Sequence, residues 1–408
     1  MYDRYGESRS KAALTLIKDD SLRKGKEDLV EYTVTLTFLQ SEYLPPFLPF
    51  LKQEVPRAQV TAILDQIKDL KEDFNSYKDD YELYLRERDR IWNRTVVIGN
   101  QISGICEFFP SLIKLLYNVG ITHLVIFTND GDIPWHWLYN RETQRFICED
   151  FAVGIVHVIL NEWGFQKFWE GLQYSKPLLS KEPTGGVENW SSLIMYDPNV
   201  SLAVEETAEL YDQLSMRSPE KVTRIEVTET LSSDHNLPAE LINYFLKPEN
   251  TASVKIIHYA GHTPDGHRID TRWLSGLGAP FGSQPIVFLN GCVSNETTNM
   301  WNPGSTLATD FLNKGASGCV VTNMPITDPA AKRIAIEFYK HILAYDGLTS
   351  NGEALWRARN KLDPKDPMRL FFTLYGDPRA QLSREKSESD ELISLAQRIP
   401  KFDNSDYR

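Results

Sequence analysis

The sequence has 408 residues, of which 41% are hydrophobic, 11% aromatic and 25% charged, so intrinsic disorder is excluded over most of its length. Its 44 Lys and Arg against 56 Asp and Glu give a net charge of -12, and we expect no direct nucleic-acid binding because phosphate recognition requires a basic surface. No stretch reaches about 18 consecutive apolar residues and residues 1–10 are polar, which predicts a soluble, unexported, cytoplasmic protein with no membrane association.

The first part of the chain predicts a weakly ordered lead-in, a strand and a long helix. Residues 1–28 are polar and charged, and we expect them to form the lead-in. Residues 31–38 alternate apolar side chains with threonines, the period of a half-buried strand. Apolar side chains then recur every three or four residues from Val60 to about Arg90, which predicts one amphipathic helix.

A strand-helix-strand pattern follows. Residues 96–98 predict a strand, residues 102–117 an apolar helix and residues 123–127 a second strand, which together make a β-α-β unit. A further strand is predicted at 151–160. Between residues 175 and 190 the composition changes to Ser, Lys, Pro and Gly, which predicts an exposed linker between two halves of the chain.

The second half alternates strands and helices more regularly. This alternation predicts an α/β fold, with a mostly parallel sheet flanked by helices. The predicted strands are 193–196, 223–227, 254–258, 286–289 and 319–322, and the predicted helices are 202–214, 238–246, 305–313 and 329–344. Residues 383–408 are charged and form a predicted tail.

Two predicted strand ends carry groups suited to thiol chemistry. One strand runs into His258-Tyr259-Ala260-Gly261-His262 and another into Asn290-Gly291-Cys292. Because functional groups gather at the carboxyl ends of parallel strands, an imidazole and a thiol are expected to face each other if these strands are neighbours. Gly261 and Gly291 permit close approach of a substrate. From spacing alone, the alternative of a buried structural cysteine and a hydrogen-bonded structural histidine stays open.

The same motifs carry a family resemblance. The sequence resembles the CHAT-domain proteins, which are caspase-like cysteine peptidases related to separase. The resemblance covers about residues 30 to 380 and rests on several motifs that occur in the family's order. These motifs are 258–262, 289–292, 315–321, Leu374-Tyr375-Gly376-Asp377-Pro378-Arg379, the proline-tryptophan turn at 129–135, and Tyr196-Asp197-Pro198 followed by Glu205-Glu206.

The resemblance implies the roles of individual residues. Cys292 would be the nucleophile, His262 the general acid and base, and His258 a supporting strand-end residue. Backbone N–H groups at Thr263 and Cys292 would stabilise an oxyanion. Thr263 replaces a glycine that is common in the family, which restricts the loop. No metal or organic cofactor is implied.

The resemblance also implies a caspase-like sandwich with two halves. Residues 29–175 would form an N-terminal pseudo-protease half and residues 191–382 a catalytic half, with the linker at 176–190. Cys106, Cys148 and Cys319 are expected to be structural.

Substrate and partners are less defined by the sequence. Asp265, Asp270 and Asp310 are candidate pocket carboxylates for a basic residue before the cut, with surface acids or helix caps as the alternative for each; an apolar residue before the cut is equally open. The family implies one dedicated protein substrate, such as a gasdermin-like pore former in bacterial defence or cell death, and a regulatory partner. The alternatives are a catalytically silent scaffold that binds a partner and, less favoured by the sequence, a small-molecule sensor.

Overall fold

The computed structural model describes most of the two predicted halves. The described residues are 11–19, 28–39, 51–77, 80–157, 190–216, 221–227, 241, 244–245, 247–261, 281–291, 307–344 and 349–382. Within these residues, no helix combines the length and the apolar character needed to span a bilayer.

An eleven-stranded sheet organises the protein, in the order β3-β2-β1-β4-β7-β13-β12-β11-β10-β8-β9. The strands β5, Tyr139–Asn140, and β6, Arg145–Phe146, form a separate hairpin. The sheet strands are β1 Lys11–Asp19, β2 Leu29–Leu39, β3 Leu51–Pro56, β4 His123–Thr128, β7 Ala152–His157, β8 Ser191–Tyr196, β9 Val222–Glu226, β10 Val254–Ala260, β11 Ile286–Asn290, β12 Gly318–Thr322 and β13 Phe372–Gly376.

The strand directions divide the sheet into two parallel blocks. In the first block, the strands β1, β4 and β7, called the N-terminal block below, run parallel to β13. In the second block, β9, β8, β10, β11 and β12 are mutually parallel. The blocks run in opposite directions because β12 pairs with β13 antiparallel. Every residue of β10, β11, β12 and β13 is buried, so both faces of the sheet are covered there. The predicted α/β fold, a mostly parallel sheet flanked by helices, is confirmed.

The following α-helices have defined bounds in the described residues. They are α1 Arg57–Tyr77, α2 Tyr81–Ser103, α3 Phe109–Asn118, α4 Ile147–Asp150, α5 Ser201–Ser215, α6 Pro248–Ser253, α7 Leu307–Asn313, α8 Asp328–Ile342 and α9 Asn351–Arg359. Helices α5 and α8 pack on each other, and Lys332 Nζ of α8 lies 2.9 Å from Glu205 Oε2 of α5.

Three expectations for the N-terminal part need correction. Part of the expected lead-in is ordered, because β1 pairs with β2 and β4 and buries Ala12, Ala13 and Leu16 completely. The single helix predicted through Arg90 is two helices, with Asp80 Oδ1 capping α2 at the N–H of Leu83.

The strand predicted at residues 96–98 is wrong, since these residues belong to α2. The run Thr95-Val96-Val97-Ile98 has high strand propensity, but Ile91, Thr95, Ile98 and Ile102 fall on one buried helical face. Thr95 Oγ1 also donates to the carbonyl of Ile91. Packing and this hydrogen bond therefore outweigh local propensity.

Helix α9 and the segment before β13 make buried polar contacts with elements from the N-terminal part of the chain. Trp356 Nε1 donates to the carbonyl of Glu149 at 2.7 Å, and Arg369 Nη2 lies 2.8 Å from Glu149 Oε1. His136 and Trp137 both contact the carbonyl of Leu370. Buried polar contacts of this kind join α9 and the segment before β13 to the N-terminal part of the chain.

Candidate active site

The ends of β10 and β11 lie side by side, which meets the condition that the sequence left open. Ala260 is in register with Asn290, and the N–H of Gly261 donates to the carbonyl of Asn290 at 3.1 Å. On the other side, the N–H of Asp197, which follows β8, donates to the carbonyl of Ala260 at 3.0 Å. Gly261 and Gly291 therefore leave adjacent strands at the same edge of the sheet.

A cleft opens beside these two glycines on the face that α5 and α8 cover. Its walls come from α5, the strand ends and the first turn of α8, and include Ala203, Glu206, Ala260, Asn290, Gly291 and Ala331. β9 and β10 lie on opposite sides of β8 in the sheet, so the order of the strands changes direction between β8 and β10. A crevice at such a switch of strand order is where open α/β sheets bind ligands.

A buried polar network reaches the cleft through two of its members, Glu206 and Asn290, which line it. Glu206 is 2% exposed, Asn290 4% and His258 fully buried. Asn290 Nδ2 donates to both carboxylate oxygens of Glu206 at 2.8 Å. His258 Nε2 lies 2.9 Å from Glu206 Oε1, in ion-pair contact but without the angle of a hydrogen bond.

Tyr339 of α8 is the next member of this network. Its hydroxyl lies 3.2 Å from His258 Nδ1. Burial, together with the nearby Glu206 charge, raises the pKa of Tyr339 well above its ordinary value, so the hydroxyl keeps its proton and is a donor to Nδ1. Tyr339 and Glu206 thus contact the two ring nitrogens of His258.

Thr322, at the end of β12, holds the other side of the β11 end. Its Oγ1 donates to the carbonyl of Gly291, and the side chain is fully buried. That carbonyl belongs to the peptide unit that connects Gly291 to residue 292. A neighbouring strand therefore fixes the orientation of the peptide at the β11 end.

Gly261 is required by close packing. A Cβ at this position would lie 2.6 Å from Asp197 Cβ and 2.9 Å from the Tyr259 hydroxyl oxygen. Asp197 is 1% exposed and its carboxylate accepts the N–H of Asn199 at 3.0 Å. The chain after β8 thus packs directly against the backbone that leaves β10.

The predicted site residues divide into two groups. Cys292, His262, Thr263, Asp265 and Asp270 lie outside the described residues. The other three are described. Gly291 lines the cleft, whereas His258 and Asp310 do not. His258 contacts Glu206, which lines the cleft, and Asp310 lies in α7.

The structure adds residues to those that the sequence singled out. The sequence places Glu206 within a motif, and it assigns no role to Glu206, Asn290, Thr322 or Tyr339. Two signals pointed toward them: Glu206 is on the helix directly after β8, and Asn290 precedes Gly291. Within the ranges given above, no group of three His, Cys, Asp or Glu side chains is arranged to hold a metal ion.

The three described cysteines are structural. Cys106, Cys148 and Cys319 are fully buried and free of disulfides. Burial raises the pKa of Cys106 to about 12 and that of Cys148 to about 11, and it raises the pKa of Cys319 well above its usual value. These thiols hold their protons at neutral pH and are poor nucleophiles.

Comparison with known proteins supports the fold. No protein-family model and no curated protein sequence matches the chain. Two crystal structures of the Saccharomyces cerevisiae separase-securin complex are similar to it, with TM-scores of 0.55 and 0.56 at 12% and 11% identity. Each match covers 90% of this chain, which spans about 30% of the length of the separase chain.

These matches define the class of fold. The mostly parallel sheet flanked by helices is similar to the caspase-like domain of separase, so the caspase-like part of the expected fold is confirmed. Sequence identity near 12% supports the fold alone, since one fold hosts many activities. The narrower resemblance to CHAT-domain proteins stays a prediction from the sequence motifs.

Proposed function

We propose that this protein is a caspase-like cysteine endopeptidase that uses Cys292 as the nucleophile and His262 as the general acid and base. The observation that carries the proposal is the pairing of the β10 and β11 ends, where Gly261 donates to the carbonyl of Asn290 at 3.1 Å. His262 and Cys292 directly follow Gly261 and Gly291 in the sequence. Consecutive Cα atoms are about 3.8 Å apart, so both residues start from one edge of the sheet.

Side-chain alternation supports the same assignment. His258 and Ala260 of β10 and Phe288 and Asn290 of β11 share the face of the sheet that carries the cleft. Successive side chains of a strand alternate between faces. A continuation of each strand by two residues beyond Ala260 and Asn290 would bring residues 262 and 292 to that same face.

The proposed reaction proceeds through a thioester. The Cys292 thiolate attacks the carbonyl carbon of the scissile peptide, a C–S bond forms, and the C–N bond breaks as His262 gives its proton to the leaving amine. Water then attacks the thioester, His262 accepts the proton from that water, and the thiolate leaves. Backbone N–H groups of Thr263 and Cys292 are the proposed oxyanion donors.

The proposed substrate is a dedicated protein. Asp265, Asp270 and Asp310 remain candidate carboxylates for binding a basic side chain. A gasdermin-like pore former or another effector in bacterial defence or cell death is proposed on the sequence resemblance alone. The separase in the similar structures is bound to securin, a protein partner.

The direct test is labelling with peptidyl acyloxymethyl ketones that carry Arg, Lys, Leu, Met or Asp before the reactive group. We expect one adduct, mapped to Cys292 by peptide mass spectrometry and absent from Cys292→Ala. His262→Ala is expected to lose the adduct because the thiolate is no longer paired with a base. Cys106, Cys148 and Cys319 serve as internal controls, since their burial keeps them unlabelled.

A contrary result has a defined meaning. If general thiol reagents modify Cys292 but every peptidyl ketone fails, with and without candidate partners, the endopeptidase proposal is wrong. The catalytically silent scaffold would then explain the fold, and a partner that binds equally well to Cys292→Ala would identify it.

A further inference from the structure

We propose that Glu206 is a positioning residue of this site and that its buried carboxylate holds Asn290, and through it the chain that leads into Cys292. This proposal rests on the proposed peptidase function. Glu206 belongs to α5, Asn290 is the last residue of β11, and both line the cleft. Glu206 therefore links a helix to the strand end that precedes the proposed nucleophile.

The burial of Glu206 is energetically demanding. A carboxylate removed from water is strongly destabilised unless hydrogen bonds or a counter-charge compensate it. Among the described residues, no lysine or arginine forms an ion pair with Glu206, whereas its exposed neighbour Glu205 pairs with Lys332 at 2.9 Å. Asn290 and His258 are the polar groups in contact with the carboxylate.

Asn290 connects both strand ends to Glu206. Its backbone carbonyl accepts the N–H of Gly261, and its side-chain Nδ2 donates to Glu206. A carboxylate only accepts hydrogen bonds, so the NH2 end of the amide must face Glu206. This contact fixes the orientation of the Asn290 side chain directly before Gly291, while Asn290 Oδ1 is buried without a hydrogen-bond partner in the described part of the chain.

The free Oδ1 allows a sharp exchange experiment. In Glu206→Gln, the new amide can accept from Asn290 Nδ2 and donate to Oδ1, so the contact is kept without the charge. In Glu206→Leu, Asn290 Nδ2 and His258 lose their partner. In Asn290→Asp, two carboxylates face each other, and the double variant Glu206→Gln/Asn290→Asp restores a donor and an acceptor.

The test measures two rates of Cys292 alkylation, one with iodoacetamide between pH 5 and 9 and one with the best peptidyl ketone. Both are measured at a temperature well below the thermal unfolding midpoint of each variant. We expect Glu206→Leu and Asn290→Asp to slow ketone labelling about 10- to 100-fold. Glu206→Gln and the double variant should stay within about threefold of the wild type. The pH profile of alkylation should shift in the two disrupted variants, with His258 and Tyr339 as the titratable groups that face Glu206.

Glu205→Gln is the matched control, since it removes a neighbouring charge at the surface of the same helix, and we expect wild-type rates. A purely structural role of Glu206 would lower the unfolding midpoint of Glu206→Leu and leave its alkylation rates and pH profile at the control values, which overturns the proposal. If Asn290→Asp does not fold, the comparison of Glu206→Leu with Glu206→Gln decides. If the wild type resists every ketone, the peptidase proposal fails, while the iodoacetamide rates still judge the role of Glu206.

Discussion

Because Gly261 and Asp197 approach closely, we expect a larger residue at position 261 to lower the free energy of unfolding. In Gly261→Ala, the added methyl group would lie 2.6 Å from Asp197 Cβ, about 1 Å inside ordinary carbon contact. Neither partner can rotate away, because Asp197 Cβ is attached to a backbone whose N–H donates to the carbonyl of Ala260. The turn after β8 or the end of β10 must therefore shift.

The expected magnitude follows from this overpacking. Extra methyl groups in a packed interior cost about 1–3 kcal/mol, and we expect Gly261→Ala to lose that much of its free energy of unfolding. A matched control is Gly282→Ala, where the new Cβ would meet Ala252 Cα at 3.6 Å, an ordinary contact. That control should be neutral or gain about 0.4–1 kcal/mol, because alanine restricts the unfolded chain.

The assay compares urea unfolding of both variants with the wild type, followed by ketone labelling of Cys292 on the folded proteins. Gly261→Ala should shift the midpoint downward and slow labelling, because the displaced backbone leads into His262. Equal midpoints for Gly261→Ala and Gly282→Ala would refute the packing argument. If Gly261→Ala lowers the urea midpoint but leaves the labelling rate of Cys292 unchanged, the geometry of the β10 end does not affect the proposed chemistry.

Two further substitutions test other parts of the structure. Thr322→Val removes the donor to the carbonyl of Gly291. It should lower the free energy of unfolding by about 1–3 kcal/mol and slow the labelling of Cys292. Thr322→Ser keeps the hydroxyl, so its free energy of unfolding and its labelling rate should stay at the wild-type values. His136 is buried, and burial, with the nearby Arg359 charge, lowers its pKa from 6.5 to about 3. In the unfolded chain His136 binds a proton near pH 6.5, whereas in the folded chain it stays unprotonated at that pH. The free energy of unfolding therefore falls as the pH falls below 6.5. His136→Gln should make the loss between pH 6.5 and 4.5 smaller by about 2–3 kcal/mol, as measured by urea unfolding at both pH values; an unchanged slope would contradict the assignment.

The parts of the fold that sequence pattern predicted are those with one clear period. β8, α5, β10, β11, β12 and α8 all lie within a few residues of their predicted bounds. The pattern failed where tertiary context decided the outcome. Residues 1–28 are polar and charged as a whole, yet β1 pairs with β2 and β4 and its segment from Ala12 to Leu16 is buried.

The candidate site was predictable as a place but not as a network. The two strand ends with their glycines follow from the sequence because they are local signals, whereas the adjacency of β10 and β11 is shown by the structure. The contact between Glu206 and Asn290 joins residues 84 positions apart, and that between Tyr339 and His258 spans 81. Such pairings depend on how α5 and α8 pack on the sheet, which no local pattern specifies.

One sheet contains strands from both predicted halves of the chain. β13 is the last strand in sequence, yet it lies between β7 of the N-terminal block and β12 of the other. A Cβ on Gly154 of β7 would lie 2.3 Å from the carbonyl oxygen of Gly376, so β7 and β13 are packed backbone against backbone. Since β12 carries Thr322, which holds the Gly291 peptide, the N-terminal block supports the candidate site through two intervening strands. It covers the edge of β13, which in turn fixes β12. The N-terminal block is therefore expected to support the geometry of the site, although none of the proposed catalytic groups lies in it.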